Sequence, residues 1–158
     1  MRHSGNKGFS LTEVLIVVGL LGVIATIAVV SMSGLSGSIK YKNTAWGISS
    51  QLRLAKQMAV TNNREERVEF GIGAGQYRLT EGNLPAGSTV WVQVKPWTAV
   101  DQGVALATGA ACNGNADVNI KFNPNGTADA GTICVNDTGG AVKYTMEISS
   151  TSGRVAID

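Results

Sequence analysis

Histidine is almost absent from this sequence: His3 is the only one in 158 residues. Residues 4–158 therefore hold no Ser-His-Asp or Cys-His nucleophile system and no His-ligated metal. Cysteine is scarce too. Cys112 and Cys134 are the only two and form no CxxC pattern, too few for a zinc cluster. The expectation is a protein that is not an enzyme and carries no metal or cofactor. Charge is sparse, at 15% of residues, with 13 Lys and Arg against 11 Asp and Glu, a net of +2. That excess sits in residues 1–8, which carry Arg2 and Lys7 and no acid, so the remainder is neutral in sum. The mild basicity implies no nucleic-acid or anionic partner for the protein as a whole. The length allows one ordinary domain with a sizeable core. Few charges with 20 glycines suit a β-rich, secreted-type domain better than a disordered chain.

What is present in abundance is an apolar run. Val14 to Val30 contains no charged residue, and Phe9 to Val30 is interrupted only by Glu13. At about 1.5 Å per residue, some 20 helical residues reach the ~30 Å of a bilayer core. A secretory signal peptide would have a shorter run and a small-residue cleavage site after it. Here a helical pattern continues beyond the small residues that follow the run, so the expectation is a membrane helix that is kept. Arg2 and Lys7 place the N-terminus in the cytoplasm and the remainder outside. Glu13 has two readings. It could sit at headgroup level and snorkel to water, or it could serve a cationic partner inside an assembly, since a carboxylate in a spanning helix is costly.

The string Gly8-Phe9-Ser10-Leu11-Thr12-Glu13-Val14-Leu15 resembles the type IV prepilin signal, in which a short basic leader ends in Gly and is followed by Phe, a spaced Glu and a long apolar helix. The resemblance implies cleavage between Gly8 and Phe9 by prepilin peptidase and N-methylation of Phe9. It also implies an assembly role for Glu13, whose carboxylate would attract the α-amino group of a neighbouring subunit. Buried together, the two charges relieve each other's desolvation. One departure is that the proline many pilins carry near the end of this run is missing from Thr26 to Val30.

Beyond the run, Tyr41, Ala45, Ile48, Leu52, Ala55 and Ala59 recur at spacings of three and four, one face of an α-helix. Thr61-Asn62-Asn63 is its stop. Gly34 and Gly37 mark a soft joint, because each costs about 1 kcal/mol against Ala in a helix. After Asn63 the period becomes two. Strands are expected around Val68–Ile72, Tyr77–Leu79, Val90–Val94, Val118–Phe122, Ile133–Val135, Val142–Ile148 and Val155–Ile157. Asn123-Pro124-Asn125-Gly126 and Ser152-Gly153 are turns. In the Val90–Val94 strand Trp91 lies on the face opposite Val90 and Val92, which leaves it open to exposure. The fold class is α+β: one long helix, then strands that must cover its apolar face. The organisation reads as a leader (1–8), a transmembrane and assembly helix (9–32), an amphipathic helix half (33–60) and a β-rich periplasmic domain (61–158).

Three stretches sharpen the resemblance: Leu52 to Asn63, Phe122-Asn123-Pro124-Asn125-Gly126, and Ile148 to Val155 with its Gly153-Arg154-Val155. They resemble the helix end, turn and closing hairpin of the H-type minor pseudopilins and FimT-type minor pilins. That resemblance implies a two-sheet domain packed on the helix end. It also implies a subunit of a type IV pilus or a type II secretion pseudopilus. The partners would be other pilin subunits, prepilin peptidase, an inner-membrane assembly platform and the lipid bilayer. Some FimT-type relatives bind DNA through a basic hairpin, and Arg154 is the candidate DNA contact here. The second arginine of that hairpin is replaced by Ala156, so DNA is the weaker reading.

A domain outside the inner membrane meets an oxidising compartment. There a Cys112–Cys134 disulfide is favoured over two separate buried thiols and would add roughly 3 kcal/mol. Charge is polarised: residues 40–78 hold seven bases against three acids, and residues 81–158 four bases against seven acids. Head-to-tail complementarity between subunits is one reading, and ordinary solvated charge is the other. Trp46, Trp91 and Trp97 could form a ligand platform, though packing is the commoner use of tryptophan.

Overall fold

All three prolines lie at position 85 or beyond, so nothing interrupts a helix in the first part of the chain. In the computed structural model, which describes residues 10–158 except for the side chains of 26–37, α1 spans Leu11–Asn62. Gly34 and Gly37 both lie within it. It stops as its sequence predicts. Asn63 takes a positive φ of 51°, and the Arg64 N–H donates to the Ala59 carbonyl at 3.3 Å, a left-handed helix cap. The chain divides into two units, Met1–Ser38 and Ile39–Asp158.

In the first unit, ten apolar side chains between Leu11 and Ile24 are at least half exposed. Among the described residues no helix is long and apolar enough to cross a membrane. Phe9 and the side chains of residues 26–32, which complete the span expected above, lie outside the described residues.

The second unit holds two antiparallel sheets. The first contains β1 (Glu66–Gly71), β2 (Gln76–Gly82), β3 (Trp91–Gln93), β4 (Thr98–Ala99) and β6 (Val118–Phe122). Its order is β3-β2-β1-β6, with β4 also paired to β2. The second contains β5 (Val104–Thr108), β7 (Gly131–Asp137), β8 (Val142–Ile148) and β9 (Val155–Ile157) in the order β5-β7-β8-β9. The β7–β8 register shifts at Val135 and Asn136. Ala45, Ile48, Leu52, Ala55 and Ala59 of α1 are completely buried, and they share one core with residues of both sheets, including Val68, Phe70, Leu79, Ile120, Phe122, Ile133 and Met146. The α+β, two-sheet expectation is met.

Two features lie beyond the sequence reading. Val90 and Val92 are 56% and 63% exposed. Alternation reveals an apolar face, not whether another element covers it. β5 carries no strong alternation in its Val-Ala-Leu-Ala-Thr sequence, yet it forms an edge of the second sheet, paired to β7 from Val104↔Asp137 to Thr108↔Ile133.

Candidate functional site

Glu13 lies in the first turn of α1. Its N–H and that of Val14 donate to the Ser10 carbonyl at 3.0 and 3.2 Å, and a carboxylate suits the positive end of a helix. Glu13 and its neighbours are exposed. Gly8 and Phe9, the expected processing site, lie outside the described residues.

The stretches behind the sequence resemblance meet in space. Gly153 has a φ of 55°, and a Cβ there would stand 2.7 Å from the Gly126 carbonyl oxygen and 3.3 Å from Lys56 Cδ. Lys56 Nζ donates to the Ser152 carbonyl at 2.7 Å. The helix end, the 123–126 turn and the closing hairpin therefore form one corner, and only glycine fits at its centre. Arg154 is exposed beside it. It lines a shallow cavity with Glu147, Ile148, Ser149 and Ala156, with no second base.

Cys112 and Cys134 are joined as a disulfide. It ties the loop after β5 to β7, and Asn136 Nδ2 donates to the Cys112 carbonyl at 3.0 Å beside it.

The outer face of the first sheet carries a ladder that sequence reading missed. Arg67 Nε donates to Glu69 Oε1 at 2.7 Å and Arg78 Nε to Glu69 Oε2 at 2.6 Å. Arg67 stacks on Trp91 with its guanidinium carbon 4.1 Å from the ring centre, and Arg78 on Trp97 at 4.5 Å. Burial would push the Glu69 carboxyl up, but the two arginines outweigh it and hold it below the ordinary range. Trp46 stands apart on α1, so the three tryptophans do not form one platform. The signal was the Arg-x-Glu of β1 placed opposite Arg78 by strand pairing.

Two more buried carboxylates lie at the start of β1. Burial pushes Glu65 up, but hydrogen bonds from Ser88, Lys121 and Gly87 outweigh it and hold it at about 2. Burial, then the Glu81 carboxylate opposite, pushes Glu66 up to about 7 against the pull of Asn62 and Arg64. Neither Glu66 oxygen makes a hydrogen bond of normal geometry. One pair answers the charge asymmetry of the sequence within the chain, Arg64–Glu81 at 3.2 Å, whereas Lys121–Glu65 at 3.1 Å joins the two stretches in the opposite sense. Among the described residues no group of three or more His, Cys, Asp or Glu is placed to hold a metal ion.

Known proteins give a consistent answer. The family described as Type II transport protein GspH matches residues 44–152, and the prokaryotic N-terminal methylation motif matches residues 3–29. No curated protein matches the chain. Among solved structures, the minor pseudopilin EpsH of the Vibrio cholerae type II secretion system aligns with a TM-score of 0.62 at 11% identity, covering 77% of this chain and 97% of that one. Escherichia coli GspH aligns at 0.58 and 14% identity, covering 77% and 89%. The Pseudomonas aeruginosa type IV minor pilin FimU aligns at 0.53 and 17% identity, covering 74% and 91%. At these identities the structures establish a shared fold, whereas the family match spans more than two thirds of the sequence. The chain belongs to the family described as Type II transport protein GspH, and it carries the prokaryotic N-terminal methylation motif.

Proposed function

We propose that the chain is a non-enzymatic minor pseudopilin, held in the bacterial inner membrane by residues 9–32, with its N-terminus in the cytoplasm and residues 61–158 in the periplasm. Prepilin peptidase cuts between Gly8 and Phe9 and methylates Phe9. An inner-membrane assembly platform then moves the subunit into a filament, where Glu13 meets the α-amino group of a neighbour. The family description names type II transport, so the secretion pseudopilus is the assembly assigned first and the type IV pilus second. The observation that carries this reading is the band of exposed apolar side chains from Leu11 to Ile24, in which Glu13 is the one charged residue. Such a band needs lipid or other apolar helices around it. The alternative, DNA capture at Arg154, has a single cation behind it, and so few phosphate contacts give weak, salt-sensitive binding.

Mass spectrometry of the protein recovered from membranes tests the processing step. A mature chain beginning at N-methylated Phe9 is expected, and any other N-terminus rejects it. Glu13→Ala should insert normally and fail to enter filaments. Unchanged incorporation would remove the role given to Glu13.

A further inference from the structure

The open edge of the first sheet leaves strand chemistry half used. The Asn83 N–H donates to the Val90 carbonyl at 3.1 Å and the Val94 N–H to the Leu79 carbonyl at 2.9 Å, with Val92 opposite Glu81 between them. Antiparallel alternation then turns the N–H and C=O of Trp91 and Gln93 away from β2. No strand of the described residues pairs with that side. Val90, Val92 and Val94 share the face of Leu79, Val68 and Phe70, by way of the aligned Val92, Glu81 and Glu66. Those three neighbours are buried, while the valines are exposed. The devices that normally protect an edge, a central charge or a proline, are missing from residues 90–94 and arrive only with Lys95 and Pro96. The strand is also ordered in advance, because Trp91 is pinned from the outer face by Arg67, which Glu69 holds.

We propose that β3 is a strand-addition site. It takes an extended segment of another polypeptide, apolar at alternate positions and acidic at its ends. The outward backbone groups of Trp91 and Gln93 require a strand, and the valines select apolar side chains on one of its faces. The acidic ends follow from charge. Arg64 and Glu81 line the depression beside Val92 and Val94 and pair with each other, while Lys95, next in the chain to Val94, donates to the neutral Gln51 Oε1 at 3.4 Å and so keeps its charge, which leaves the rim net positive. A depression of about 310 Å³ lined by Arg64, Glu81, Val92 and Val94 gives an incoming side chain room. The site extends the filament reading by a lateral contact. Its test reads peptide binding rather than N-terminal processing, so the two can fail separately.

The experiment uses the full chain in detergent micelles and a fluorescent peptide of alternating valine and threonine with a glutamate at each end. Saturable binding is expected. It should fall about tenfold or more with Val92→Asp, and equally when the peptide amides facing β3 are N-methylated. Replacing the terminal glutamates by lysines should weaken binding. Val142→Asp, at an exposed valine of β8, should leave it unchanged. Val92 is exposed, so its substitution should retain the native circular dichroism spectrum. Absence of binding, equal binding by the N-methylated peptide, or indifference to Val92→Asp each overturns the proposal. Concentration-dependent self-association that Val92→Asp abolishes also overturns it, because the occupant would then be a second copy of this chain.

Discussion

Glu65 and Glu66 are adjacent in the chain, yet their carboxyls stand in opposite environments. Glu65 is wrapped by Gly87, Ser88 and Lys121 and held at about 2, whereas Glu66 faces the core without hydrogen bonds of normal geometry and is pushed up to about 7. The two shifts have opposite consequences. As pH rises from about 4.5 to 7, the unfolded chain loses its Glu66 proton while the folded chain keeps it, so stability falls. As pH drops from about 4.5 toward 2, the unfolded chain protonates Glu65 while the folded chain does not, and stability falls again. Glu66→Gln should remove the loss on the neutral side, making the domain more stable at pH 8 by about 2–3 kcal/mol and nearly unchanged at pH 4.5. Urea unfolding at several pH values checks this, and an unaltered slope between pH 4.5 and 7 would refute it.

The corner around Gly153 predicts a second outcome. Gly153→Ala adds a methyl group that would stand 2.7 Å from the Gly126 carbonyl oxygen, at a φ of 55°. The expected cost is about 2 kcal/mol, a drop in melting temperature of roughly 5–10 °C. Lys56→Met removes one exposed hydrogen bond to Ser152 and should cost less than about 1 kcal/mol. Equal thermal shifts in the two variants would contradict the close packing described.

The disulfide gives a third. Cys112 and Cys134 are 22 residues apart, and opening a loop of that length should cost about 3 kcal/mol. Comparing chemical unfolding of the parent with Cys112→Ser/Cys134→Ser measures it. The Thr108–Gly114 backbone bonds at 2.9 and 3.0 Å should keep the start of the loop attached. Hydrogen exchange should therefore rise most around residues 110–113 and little in β7. Uniform loss of protection across the second sheet would show that the bridge does more than close a loop.

Periodicity made much of this fold legible before the structure. Burial demands a period near 3.6 in α1, and the stripe from Ala45 to Ala59 obeys it. Most strands announce themselves by a period of two, and the prepilin-like string singles out Glu13. What escaped depends on contacts distant in sequence. Three glutamates within 65–69 look alike, and only Ser88, Lys121, Arg78 and Glu81 make them different. The valines of 90–94 look like core because their own pattern cannot report that no other element covers them. β5 is rich in alanine, whose small side chain fits either face and so leaves no alternation to read.

The helix stripe also has a mechanical meaning. Ala45, Ile48, Leu52, Ala55 and Ala59 are spread along α1 and are all completely buried, so a pull along this stretch of the helix loads them in parallel. Freeing the helix means dragging several side chains past both sheets together, a shearing failure, whereas a strand at a sheet edge can peel one bond at a time. Under axial pull the domain should hold its helix longer than its outermost strands hold their neighbours.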